Sequence, residues 1–265
     1  MKKNVVFVIA VIIVVGVLLL AVFIGEKTLD LESEQITNLY SYLGDVNRCG
    51  GLNQYTGEEV TYDALSNETK LCMSFYKLNA DIIQKGSADV TATNDSDIFI
   101  CEVGEGIRFA AEDGEDVCSY QVFAKDELVN SYKTIYGEDM PLDESFYING
   151  NQACYLEGDS YYCGDAETFV VSLAPEATIY RLLQKAVEKM NGDIVIYDYY
   201  LRISDNTCYS SNSSEGEISS CTEALEDNDN IEIDSTFVQE HAAVYEHIFK
   251  KDSDGNYYWY SSNLK

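Results

Sequence analysis

Histidine and positive charge are both scarce in this sequence. The only histidines among 265 residues are His241 and His247, with Glu240 and Glu246 beside them. Their spacing is not the i, i+4 pair that a zinc-binding helix presents, so both read as exposed structural histidines, with His247 on a strand. With so few imidazoles, a Ser-His-Asp or Cys-His hydrolase has few ways to be assembled. No C-x-x-C occurs either, so a zinc cluster is not expected, and no cofactor or metal is called for. Lysine and arginine total 17 against 46 aspartates and glutamates, a formal charge of −29. Lys2 and Lys3 precede the first apolar run, so residues 26–265 hold 15 basic and 46 acidic side chains, a formal −31. Such a surface repels phosphate backbones, and nucleic acid is not an expected partner. Anionic headgroups and wall polymers meet the same repulsion unless divalent cations intervene. Disorder is not implied, because 46% of the residues are hydrophobic and 12% aromatic, enough to bury a core.

The run from Val5 to Gly25 contains no charged side chain. As a helix it spans roughly 31 Å at about 1.5 Å per residue, which matches a hydrocarbon core of about 30 Å. A cleaved signal peptide is the competing reading, but the run ends Ala21-Val22-Phe23-Ile24-Gly25, a poor cleavage site, and the first cysteine is as far away as Cys49. Lys2 and Lys3 stand before the run, and Glu26, Asp30, Glu32 and Glu34 after it. Positive charge stays inside, so the expectation is a single-pass cell-membrane protein with its N-terminus inside and its bulk extracytoplasmic.

All eight cysteines follow that segment, an even set in a compartment where thiols are commonly oxidised. Between Cys154 and Cys163, a two-residue turn at Gly158-Asp159 sets Glu157 opposite Ser160, and glycine at the first turn position suits type II′. Counting back, Cys154 faces Cys163 at a non-hydrogen-bonded position, where Cα atoms are about 4.5 Å apart, a distance that suits a disulfide. Proximity then suggests Cys101 with Cys118, Cys208 with Cys221, and Cys49 with Cys72. Reduced, buried thiols are the alternative.

The pattern along the chain is that of an α+β protein: a transmembrane helix, then an ectodomain of short helices and antiparallel hairpins stapled by disulfides. Three parts are expected: residues 1–25 as stub and anchor, 26–123 as a helical hairpin with a small meander, and 124–265 as a tyrosine-rich lobe. Ser33 caps a helix carrying Ile36, Leu39, Tyr40 and Leu43 and stopped by Gly44. A second helix runs from about Tyr62 to Leu78, capped by Thr61. Short apolar runs between Asp97 and Phe123 read as one antiparallel meander. A third helix has Asp126 and Glu127 in its first turn, a stripe of Leu128, Tyr132, Ile135 and Tyr136, and Gly137 at its end. From Glu176 to Met190 the pattern is ambiguous: Ile179, Leu182, Leu183, Ala186 and Met190 favour a helix, while Asn191-Gly192 is also a hairpin signal. Residues 205–230 read as a solvated low-complexity loop. The chain closes with a hairpin, Ala243 to Lys250 against Asn256 to Ser261, turned by Asp252-Ser253-Asp254-Gly255.

The closing stretch from His247 to Ser262 (HIFKKDSDGNYYWYSS) resembles the C-terminal hairpin of N-terminally anchored proteins of unknown function from low-GC Gram-positive bacteria. The third helix with its Tyr136-Gly137 ending and the segment Asp63 to Lys70 (DALSNETK) are similar to that group as well. The resemblance implies a Gram-positive envelope protein and a strand, not a helix, around Lys185. It transfers no catalytic residue.

Ser74-Phe75-Tyr76-Lys77 has the S-x-x-K form of penicillin-recognising enzymes, and Ser204-Asp205-Asn206 supplies an S-D-N element, but no K-T-G follows. Asp252-Ser253-Asp254-Gly255 has the look of a calcium loop, yet Lys250 stands where the ligand set should open and the distal glutamate is missing, so it reads as a turn. The acidic clusters at residues 112–116 and 226–229 read as solvated loops. Tyrosine, at 21 residues, is the compositional oddity. Adjacent aromatics on a strand point to opposite faces, so Tyr161, Tyr257, Tyr258, Trp259 and Tyr260 are the candidate binding residues. The expected function is a non-enzymatic envelope binding or structural module that engages an envelope protein or glycan. The alternative is a wall-directed serine hydrolase or acyl-transferase using Ser74 and Lys77.

Overall fold

The computed structural model describes residues 26–44, 49, 54–94, 98–112, 115–141, 145–148, 152–167, 177–227 and 231–265. The expected membrane span at residues 5–25 lies outside them, and among the described residues no helix is long and apolar enough to cross a bilayer. In chain order come β1 (Lys27–Leu29), α1 (Glu34–Tyr40) with a 3₁₀ turn at Ser41–Leu43, β2 (Val60–Thr61), a 3₁₀ turn at Tyr62–Ala64, α2 (Asn67–Tyr76) and β3 (Gln84–Asp89). Next are β4 (Ala92–Thr93), β5 (Phe99–Gly104), β6 (Ile107–Ala110), β7 (Val117–Ala124), α3 (Lys125–Tyr136), β8 (Phe146–Ile148), β9 (Gln152–Glu157) and β10 (Ser160–Asp165). The rest is β11 (Thr178–Glu188), β12 (Ile194–Ser204), β13 (Thr207–Tyr209), α4 (Ser219–Asp227), α5 (Ser235–His241), β14 (Ala243–Lys251) and β15 (Tyr257–Leu264).

The strands form three antiparallel sheets. The largest has the order β1-β11-β12-β14-β15-β2, with β13 beside β12; the second is β3-β7-β10-β9-β8; the third is β4-β5-β6. This is an α+β fold of mostly antiparallel sheet with few, short helices. Side chains of α1, α2 and α3 share one core with the inner face of the large sheet (Ala186, Ile194, Ile196, Phe249, Trp259) and with Phe123, Phe146 and Tyr161 of the second sheet. On the other face of the large sheet, Phe237 and Val238 of α5 pack with Leu201. Helices this short gain little from propensity, so burial of these stripes holds them in place.

The local signals for α1 and α3 act as the sequence suggests. Ser33 accepts from the Ile36 N–H, and Gly137, at φ +69°, donates its N–H to the Lys133 carbonyl, 2.8 Å away. At Gly158 the φ of +60°, with no positive φ at Asp159, is that of a type II′ turn, and the hairpin pairs Cys154 with Cys163.

Four expectations are corrected. Residues 178–188 are strand β11, as the resemblance implies, and not the helix that the residue pattern favours: they pair with β12 on one side and β1 on the other. The ladder skips Gln184, passing from Leu183 opposite Asp198 to Lys185 opposite Tyr197. That bulge moves the inward set from Arg181 and Leu183 to Ala186, and a broken period of two imitates a helical stripe. The helix expected from Tyr62 is a 3₁₀ turn, and α2 begins only at Asn67, because Ser66 rather than Thr61 accepts from an N–H of the first turn, that of Thr69. The single meander is split: β5 and β6 belong to the third sheet, while both edges of β7 are taken by β3 and β10. The supposed loop at residues 205–230 contains β13 and α4, anchored by buried Cys208 and Cys221. The two larger sheets each draw strands from before and after residue 123.

Four disulfides are present: Cys49–Cys72, Cys101–Cys118, Cys154–Cys163 and Cys208–Cys221. The second ties β5 to β7 and so joins two sheets. Four such bonds point to an oxidising compartment.

Candidate functional site

An aspartate in the run Ile194-Val195-Ile196-Tyr197-Asp198-Tyr199-Tyr200-Leu201 is out of character for a central strand. Strand alternation puts Ile194, Ile196, Asp198 and Tyr200 on the inner face, and Asp198 is fully buried. Its charge is matched by four donors. Tyr40 Oη and Tyr55 Oη lie 2.7 and 2.6 Å from Oδ2, and Arg181 Nε lies 3.4 Å from the same oxygen. His247 Nε2 is 3.0 Å from Oδ1.

A second bulge extends this network. In β15 the ladder skips Tyr260, passing from Trp259 opposite Phe249 to Ser261 opposite Ile248. Trp259 and Ser262 therefore both face inward. The Trp259 Nε1–H donates to Ser262 Oγ over 2.9 Å, and Ser262 Oγ is 2.6 Å from His247 Nδ1. Ser262 Oγ thus bridges the indole and the Nδ1 edge of the imidazole, whose Nε2 edge faces the carboxylate.

Burial pushes the Asp198 carboxyl up, but His247, Arg181 and the Tyr55 hydroxyl outweigh it and hold the group below the usual carboxylate range. Burial raises Tyr40 and Tyr55 strongly, so both stay protonated as donors. Burial also disfavours charge on Arg181, but Tyr55, Tyr40 and Asp198 overcome this and its pKa is raised. Its Nη1 donates to the Gly44 carbonyl at 3.1 Å, and its guanidinium lies over the rings of Tyr40 and Tyr55. Around this cluster, Arg181 Nη2 and Tyr200 Oη are buried with no hydrogen-bond partner among the described residues, and these residues face each other across β11 and β12.

Ser262, His247 and Asp198 have the residue types of a hydrolytic triad. They cannot work as one here, because Ser262 and His247 are 0% exposed and the serine oxygen already accepts from Trp259. The cluster orients protons inside the core and pins β14 and β15 to β12. His247 thus corrects the expectation of an exposed histidine: its strand position was legible, its inward face was not.

Ser74 is buried and its Oγ donates to the Lys70 carbonyl at 2.8 Å, while Lys77 Nζ donates to Asn38 Oδ1 and Ser41 Oγ at 2.7 and 2.6 Å. No hydrogen bond joins the two. Asp205 and Asn206, both at positive φ, form the turn between β12 and β13. The Asp252 carboxylate accepts from the N–H groups of Asp254 and Asn256, which makes that segment a turn. Among the described residues no cluster of three or more histidine, cysteine or acidic side chains could hold a metal.

The five candidate aromatic residues divide. Tyr161 is buried and stacked on Phe123, and Trp259 is buried in the main core, so neither ring can meet a partner. Tyr260, the bulged residue, is 40% exposed beneath Lys250. Tyr257 and Tyr258 are half-buried. Tyr257 Oη donates to the Gly192 carbonyl at 2.9 Å. Both rings line a groove of about 660 Å³ with Gln35 and Asn38 of α1, Asn130 of α3 and Asn256 of the closing turn, over a floor of Leu39 and Tyr42.

No family model, curated protein or solved structure matches this chain.

Proposed function

We propose that this chain is an envelope protein, held in the cell membrane by residues 5–25, that presents the rest of its length outside as a non-enzymatic binding module. The observation that carries the reading is the contrast between two places. The serine, histidine and aspartate that come together are sealed in the core, whereas Tyr257 and Tyr258 line an open groove of planar polar side chains. Support for the address comes from the charge asymmetry around the apolar run and from four disulfides, which favour an oxidising compartment. A serine acyl-transferase built on Ser74 and Lys77 has no observation in its favour, since both side chains are engaged elsewhere.

The test is retention of envelope components on the full-length chain in detergent, with and without the double substitution Tyr257→Ala, Tyr258→Ala. Loss of retained material with the double variant is expected. An unchanged set of partners would overturn the reading, as would covalent labelling of Ser74 by a fluorescent penicillin.

A further inference from the structure

We propose that the groove between α1, α3 and the closing hairpin binds a chain of uncharged pyranose sugars, with one sugar face stacked on Tyr258. This rests on the binding-module reading above and names its ligand class.

A pyranose presents an apolar C–H face and a rim of hydroxyls that both donate and accept. Its receptor therefore needs a flat aromatic surface and side chains that can do both. Tyr257 and Tyr258 supply the rings, and Gln35, Asn130 and Asn256 supply amides with a donor and an acceptor each. Gln35, Asn130, Asp254 and Tyr258 line the groove, and their side chains make no hydrogen bond with any described residue, which leaves them open to a ligand there. Tyr258 is placed by the backbone: its ring lies against the Cα of Gly137, where any side chain would collide. A ring held this way loses little freedom when a ligand stacks on it.

The composition of the groove argues against other partners. The apolar floor is limited to Leu39 and Tyr42, whereas a protein interface is built around a larger apolar centre. An anionic polymer would approach a domain of formal charge −31 past Asp252 and Asp254, with Lys133 the one lysine lining the groove.

The experiment is calorimetric titration of the full-length chain in detergent with chitohexaose, and in parallel with poly(glycerol phosphate). Chitohexaose should bind saturably and the anionic polymer should not. Tyr258→Ala should weaken binding at least tenfold and Asn130→Ala, on the exposed side of α3, at least threefold. Tyr260→Ala, outside the groove, should change it less than twofold. Absence of saturable chitohexaose binding overturns the proposal, and so does binding that survives both groove substitutions undiminished. If chitohexaose fails while retention of envelope material still depends on Tyr257 and Tyr258, the sugar class falls and the binding module stands; if both fail, both fall.

Discussion

The ring of Tyr258 occupies the space where a side chain on Gly137 would begin: a Cβ there would sit 2.7 Å from the ring's Cγ. Gly137 also takes φ +69° to end α3. Two separate requirements thus exclude every other residue. Gly137→Ala is expected to cost about 1–3 kcal/mol through left-handed strain and collision, read as a lower denaturant midpoint. The same substitution should displace Tyr258, visible as altered tyrosine ring signals in NMR.

Asp198 receives four donors while fully buried. Asp198→Ala leaves Arg181 buried without its counter-charge and should destabilise by about 3–5 kcal/mol. A double-mutant cycle with His247→Ala should give a coupling energy well above zero. Additive losses would mean that the two do not interact as described.

Acid should act through the same carboxylate. Its folded pKa lies below the ordinary 3.8, so the unfolded chain takes up its proton first as pH falls. The stabilisation is complete above the unfolded value and disappears as pH drops through the lower, folded one. Melting temperature should therefore decline from about pH 5 downward. In Asp198→Asn that part of the decline should be missing.

Disulfide loss should scale with the loop each bond closes. Cys154–Cys163 spans nine positions and Cys49–Cys72 spans 23. Chain-entropy arithmetic gives about 2.6 kcal/mol for the first and about 3.4 kcal/mol for the second. Replacing each pair with serine and comparing urea midpoints checks the order, and peptide mapping under non-reducing conditions checks the pairing.

What was readable from sequence was local. The caps of α1, the glycine stop of α3, the Gly158-Asp159 turn and the closing hairpin are all written in neighbouring residues. The nature of β11 was not, because the bulge at Gln184 puts Leu182 and Leu183 in helix-like phase with Ala186, and only its pairing with β1 and β12 decides the matter. The split of the meander depends likewise on β3 and β10 filling the edges of β7. The buried network escaped for a similar reason: Tyr40, Tyr55, Arg181, Asp198, His247 and Ser262 are scattered over more than 200 positions. One signal was available. A lone aspartate in an apolar strand has to find partners.

The two residues that the ladders pass over carry a lesson for length variation. Inward and outward positions are already continuous across Gln184 and Tyr260 when each is left out of the count. Shortening the chain by either one would leave Arg181, Ala186, Trp259 and Ser262 facing as they do now. Removal of a residue of β12 before Asp198, or of β14 before His247, would instead turn that side chain to the opposite face of the sheet, away from its partners. Related chains that are one residue shorter in β11 or β15 should therefore lack the counterpart of Gln184 or Tyr260.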